Sequence, residues 1–170
     1  MDINYCRRCG KSLHHVRDHI YKCDSNHTIY ANSSPAVAAI IINDNNEVLT
    51  IRRAINPGKG ELDFPGGFCD DHEDAETALK RELVEEVGLE PHQYSPMEFV
   101  CTGIDTYDFQ SETLPVLSVI FTMKLTNQDT KINTADDATD AHFTPLHDVD
   151  PKSIYFSSLQ KAIKILQKRA

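Results

Sequence analysis

An α/β sandwich built on a mixed sheet is the fold this sequence predicts, and three stretches carry the prediction. Residues 36–42 are an unbroken apolar run, the pattern of a strand buried on both faces. Residues 74–87 hold good helix formers with no Gly or Pro, and Leu79, Leu83 and Val87 repeat every four residues as one buried stripe. Near the end, Leu159, Ala162, Ile163 and Leu166 share a face of a second helix, with Ser157 or Ser158 placed to cap it. Strands and turns around one central helix, with a second helix at the end, give α/β/α layers.

A chain of 170 residues suffices for one well-cored domain and a small appendage. The 40% hydrophobic and 25% charged content is ordinary for a soluble globular protein. A net charge of −9 argues against non-specific nucleic-acid binding. It also means that an anionic phosphate substrate needs metal ions or local Arg and Lys to approach. The N-terminus lacks a basic start followed by an apolar run, and residues 36–42 are too short to span a membrane. A cytoplasmic protein without a membrane partner is therefore expected. Five cysteines, three of them near the N-terminus, suit a cytosolic metal site better than a disulfide framework.

The appendage is residues 1–33. Cys6-Arg7-Arg8-Cys9-Gly10 places two thiols two residues apart on a turn ending in Gly; Cys23 follows, and His27 comes four residues later. Cys6, Cys9, Cys23 and His27 could hold a structural Zn²⁺ tetrahedrally, with His14, His15 and His19 as alternatives for the fourth position. The unit is too short to bury a core, so a metal would supply its folding energy.

Residues 32–35 read as a join, and the main domain is residues 34–170. The strand at 36–42 turns at 43–46 and returns as 47–53, ending in Arg52-Arg53. Residues 54–60 form a Pro/Gly loop, and 62–68 lead into the central helix. Residues 97–106 and 114–125 read as strands, with Tyr107-Asp108-Phe109 in a loop between them. There Tyr107 or Phe109 could stack on a base. Residues 126–140 form a polar, acidic, mobile loop, and 142–146 a short strand. Cys69 and Cys101 read as ordinary buried or half-buried thiols.

The chemistry concentrates at residues 67–89. Glu82, Glu85 and Glu86 fall at i, i+3 and i+4, so their carboxylates share a helix face. Like charges at that spacing destabilise a bare helix. A hard cation such as Mg²⁺ removes the conflict and retains positions for water and substrate phosphates. Asp70 and Asp71 suit the helix N-terminus, Gly88 its C-terminus, and Arg81 could pair with Glu73 or Glu85.

Gly67, Glu73, Arg81-Glu82, Leu83, Glu85-Glu86, Gly88 and Leu89 stand at the spacings of the Nudix box, and the stretch resembles a complete one. The resemblance covers about residues 34–170. It implies a Nudix hydrolase acting on a nucleoside diphosphate linked to another group, with Mg²⁺ (or Mn²⁺) held by Glu82, Glu85, Glu86 and the carbonyl of Gly66. Arg53 matches a family position near the substrate phosphates. Asp137, six residues before Phe143, matches a position that acts as ligand or base; either it or Glu82 could take the proton of water. The N-terminal unit resembles the zinc ribbon of a branch that includes NADH pyrophosphatases, although Asn26 stands where that branch carries a second Cys. Residues 93–99 also depart from that group's Ser-Gln-Pro-Trp-type motif, and the chain has no Trp. ADP-ribose or another nucleotide sugar is the more open reading, with dinucleotides such as NADH retained. A Nudix-fold regulator that binds nucleotide without cleaving it, its ribbon contacting nucleic acid or a protein, is the alternative. Relatives are often homodimers.

Overall fold

The computed structural model describes residues 3–110, 112–133 and 138–169. Two sheets are present. Strands β1 (Leu13–Arg17), β2 (Ile20–Cys23) and β3 (Thr28–Tyr30) form a small antiparallel sheet in chain order.

The large sheet has seven strands: β4 (Ser34–Ile42), β5 (Glu47–Arg53), β6 (Leu62–Asp63), β7 (Gly66–Phe68), β8 (Glu98–Phe109), β9 (Glu112–Lys124) and β10 (Ala138–Pro145). Its spine runs β10-β5-β4-β9-β8, with β6 on β5 and β7 on β4. Strand β4 runs parallel to β9, and the remaining pairs are antiparallel, so the sheet is mixed. The helices are α1 (Ala75–Val87) and α2 (Ser157–Gln167).

Strand β4 shows why a run apolar on both faces predicts a central position. Val37, Ala39 and Ile41 pack with Leu79, Leu83 and Val87 of α1. Ala38 and Ile40 point the other way and pack with Leu159, Ala162 and Ile163 of α2. The two-residue period of a strand sends alternate side chains into two separate cores, and the α/β/α sandwich follows.

The structure sharpens or corrects three local expectations. The helix α1 is capped by Asp74, whose carboxylate accepts the Thr77 N–H at 2.8 Å, and Asp70 and Asp71 precede that cap. Tyr107-Asp108-Phe109 belongs to β8, because the β8–β9 ladder runs on to Phe109 opposite Glu112 and the turn falls at Gln110. Neither Ser157 nor Ser158 caps α2 with its side chain; the N-cap is Phe156. The capping acceptor comes from across the sheet: Asp105 of β8, buried, accepts the Ser157 hydroxyl at 2.8 Å and the Ser158 N–H at 3.2 Å. At the other end of α1, Gly88 is left-handed (φ 68°), and the Leu89 N–H reaches back to Leu83 O at 2.9 Å, as anticipated. The strand expected at 142–146 is longer, Ala138–Pro145, because it pairs along β5 up to Arg53.

Candidate active site

A cavity of about 310 Å³ opens between the start of β7, the carboxylate face of α1 and the N-terminal end of α2. Glu82 and Glu86 line one side, Tyr107, Phe156 and Arg53 another. Strand β7 brings the two sides together. A Cβ on Gly66 would collide with Val37 O, and one on Gly67 would collide with the Glu82 carboxylate. Gly66 is therefore required by close approach to backbone, and a side chain at Gly67 would displace the Glu82 carboxylate. The Gly66 N–H donates to Glu86 Oε2 at 2.8 Å, which ties α1 to the sheet at the cavity floor.

The acidic face is organised by Arg81. Its guanidinium donates to Glu73, to Glu82 Oε1 at 2.7 Å, to Glu85 Oε2 at 3.1 Å and to the Phe68 carbonyl at 3.0 Å, with Asp70 at 3.8 Å. Both anticipated partners, Glu73 and Glu85, are thus engaged together. Glu73 also accepts the Asp70 N–H, so one ion pair pins the loop before α1 to the helix. Hydrogen bonds from Arg81 hold the Glu73 carboxyl below the usual range. Burial pushes Glu82 above it, although Arg81 opposes the shift. Asp70, Glu73, Glu82 and Glu85 share this one guanidinium. The surplus of carboxylate beside a cavity fits a hard divalent cation that keeps places for water and phosphate oxygens.

A consequence for stability follows from Glu82. A carboxyl whose folded-state pKa is raised contributes stability below its ordinary value of 4.5 and loses it as pH rises through the folded-state value. In chelator, wild type is expected to lose thermal stability relative to Glu82→Gln over that interval, and melting curves of the two proteins across pH measure it.

Arg53 is already engaged. It donates to Asp63 Oδ2 and to Pro57 O, each at 2.5 Å, and its Cζ stands 4.9 Å from the Phe156 ring centroid. Burial raises the Asp63 pKa and the Arg53 charge opposes this. Tyr107 lines the cavity, whereas Phe109 sits at the exposed end of the hairpin, outside the lining. Asp137 lies outside the described residues. Phe68 and Phe156 are cavity aromatics that sequence reasoning missed. Phe68 directly follows the paired glycines and Phe156 directly precedes the last helix, and these positions are the signals that could have found them.

The second constellation is at the N-terminus. The ligand atoms of Cys6, Cys9, Cys23 and His27 all lie within 4.8 Å of one another. Cys6 Sγ is 3.6 Å from His27 Nδ1, and Cys9 Sγ is 3.7 Å from Cys23 Sγ. Two turns build the quartet: the Gly10 N–H bonds to Cys6 O, and the Asn26 N–H to Cys23 O. Asn26 adopts the left-handed conformation (φ 60°) that Asn tolerates, and His27 delivers the fourth side chain. The alternatives are turned elsewhere: His14 to Asp24, His15 to Asp18 O, His19 to the Tyr30 ring. Burial raises the Cys6 thiol pKa, but bonds from the Arg8 backbone and from His27 outweigh it and bring the value to about 6. A thiol so easily ionised fits a metal-ligand role.

Residues 32–162 match the family model of the NUDIX domain. The chain belongs to the Nudix hydrolase family. An ADP-ribose pyrophosphatase of Methanocaldococcus jannaschii is 33% identical over 121 residues, which cover 71% of this chain and 67% of that protein. A human mitochondrial NAD(P)H pyrophosphatase is 36% identical over 87 residues, 51% of this chain and 24% of that protein. The chain thus matches about two thirds of the first relative's length and a quarter of the second's. Among solved structures, a Nudix hydrolase from Nitrosomonas europaea superposes with a TM-score of 0.70 at 20% identity, over 98% of this chain and 92% of that one. That likeness bears out the predicted Nudix fold. No helix among the described residues is long and apolar enough to cross a membrane.

Proposed function

We propose that this Nudix protein is a Mg²⁺-dependent (or Mn²⁺-dependent) pyrophosphohydrolase. It cleaves the diphosphate of a nucleoside-diphosphate derivative, ADP-ribose first among them, to a nucleoside monophosphate and a phosphorylated product. The observation that carries the reading is that Glu82 and Glu86 of α1 and the aromatic wall of Tyr107 and Phe156 line the same cavity, so a diphosphate and its base can be held at once. ADP-ribose ranks above NADH because the archaeal relative matches over more of both chains.

Glu82, Glu85, Glu86 and the Gly66 carbonyl are the proposed cation ligands. When bound, the cation supplies neutralising charge to the diphosphate and makes water acidic enough to attack near neutral pH. Glu82, half-buried with a raised pKa, is one proposed residue to orient that water and take its proton, and Asp137 is the other. Arg81 positions Glu82 and Glu85, and Arg53, paired with Asp63, is the proposed phosphate-side cation of the same cavity. Steady-state kcat/KM for ADP-ribose, NADH, NAD⁺, nucleotide sugars and nucleoside triphosphates, with products identified by mass, tests the reading. ADP-ribose is expected to lead, and leadership by a triphosphate would displace it.

The quartet Cys6, Cys9, Cys23 and His27 is proposed to hold structural Zn²⁺ in a cytoplasmic protein, with no role for nucleic acid and with a homodimer as the candidate assembly. Among the described residues the buried set around it is only Cys6, Cys23 and Ile29, with Leu13 and Tyr21 against them, too little to order three strands alone. Stripping the metal with a strong chelator is expected to release about one Zn²⁺ per chain and to unfold the N-terminal sheet, read as loss of amide protection confined to residues 3–30. Full protection after metal removal would contradict the assignment.

A further inference from the structure

The segment 155–158 at the entry to α2 carries features that cation binding and phosphate chemistry leave unused. We propose, resting on the nucleotide reading above, that this segment reads the substrate's base. Phe156 and Tyr107 stack on it, and the Ser158 hydroxyl meets its polar edge, favouring a base with an exocyclic amino group.

The rings come first. Phe156 and Tyr107 lie nearly parallel, 13° between planes, with centroids 6.4 Å apart. Phe68 meets Tyr107 edge-on at 5.4 Å, and Tyr155 meets Phe156 edge-on at 4.9 Å. The Arg53 Cζ is 4.9 Å from one parallel ring and 6.0 Å from the other. The guanidinium thus lies over both rings, nearer Phe156, and a base would stack on the ring surface it leaves open. Arg53 is itself fixed by Asp63 and Pro57 O, so the rings are held in position before any ligand arrives. Flat aromatic faces against a cavity are the usual platform for a base.

The polar edge comes second. Ser158 lines the cavity and is 2% exposed, yet its Oγ has no hydrogen-bond partner among the described residues. A buried hydroxyl left unpaired is costly and calls for an explanation. Its neighbours are satisfied: Asp105 takes the Ser157 hydroxyl and the Ser158 N–H. The site is built for Ser158, because a Cβ on Gly103 would come within 2.5 Å of the Ser158 Cβ. Ser118, also on the cavity wall, gives its proton to Asp105 at 3.4 Å and offers only lone pairs inward. With the Asp63 carboxylate nearby, the polar wall is rich in acceptors. It matches a ligand edge that donates N–H from an exocyclic amino group, as adenine does; hypoxanthine puts a keto oxygen at that position and keeps its N–H on the ring.

The test is equilibrium binding of AMP and of IMP without divalent metal, alongside kinetics on ADP-ribose and on base-free phosphoribosyl diphosphate. Wild type is expected to bind AMP more tightly than IMP. Phe156→Ala should weaken both nucleotides roughly 5- to 100-fold, the range that loss of base stacking gives. It should also raise KM for ADP-ribose with kcat little changed, and weaken the base-free substrate much less than ADP-ribose. Phe156→Tyr should restore binding, and Ser158→Ala should narrow the AMP–IMP gap. Unchanged AMP affinity in Phe156→Ala, or an equal loss on the base-free substrate, would overturn the proposal. Phe156-dependent AMP binding without turnover of any diphosphate would leave the base site standing and remove the hydrolase reading instead.

Discussion

Glu86→Gln is expected to lower kcat by roughly 10²- to 10³-fold, the size of effect seen when one group that stabilises transition-state charge is removed. The variant should still fold. Glu86 Oε2 accepts the Gly66 N–H in the structure, and the carbonyl of a glutamine can accept the same bond. What Gln lacks is the charge. Glu85→Gln should cost less, because Glu85 is half-exposed and bonds to Arg81 from the rim of the cluster. Steady-state rates at saturating Mg²⁺, with melting temperatures measured in parallel, check both variants. Full activity in Glu86→Gln would remove Glu86 from the ligand set.

The second large effect concerns folding. Asp105 is buried and accepts from the Ser157 hydroxyl, the Ser158 N–H and the Ser118 hydroxyl. It joins β8, β9 and the N-terminus of α2 at one carboxylate. Asp105→Ala leaves these donors unpaired, removes the only capping acceptor of α2 among the described residues and takes a negative charge from the positive end of the helix. A loss of about 2–4 kcal/mol is expected, read as a fall in the denaturant midpoint. Asp105→Asn should recover part of it, because the amide oxygen still accepts. The base site would suffer as well, since Ser158 is positioned through this contact, so the variant should also bind AMP less tightly.

Legibility in the sequence tracked how local the physics was. Helix α1 and its C-terminal glycine were readable because the Leu79-Leu83-Val87 stripe and the left-handed Gly88 are set within a few residues. The N-cap was not singled out, because three aspartates stand in the stretch 70–74, and only backbone geometry decides which carboxylate reaches the amide three residues on. The aromatic segment 107–109 read as a loop because polar residues interrupt it. Pairing with β9 overrides that local preference, as tertiary context commonly does in sheets. His27 was identifiable by spacing, and the structure explains it through the turn that Asn26 makes. Asp105 had no signal at all: its partners in α2 are more than 50 positions away in sequence. Phe156 offered only its place before the last helix, since its importance comes from lying beside Tyr107 on one wall of the cavity. The carboxylate half of the candidate site was thus written in one helix, and the half proposed to hold the base was assembled from three distant segments.

The most direct test of the central claim is a Mg²⁺ titration of ADP-ribose cleavage by the purified protein, with products identified by mass. The account predicts AMP and ribose 5-phosphate, formed at a rate that rises with Mg²⁺ and vanishes in chelator. A folded protein that binds ADP-ribose yet releases neither product at any Mg²⁺ or Mn²⁺ concentration would contradict it.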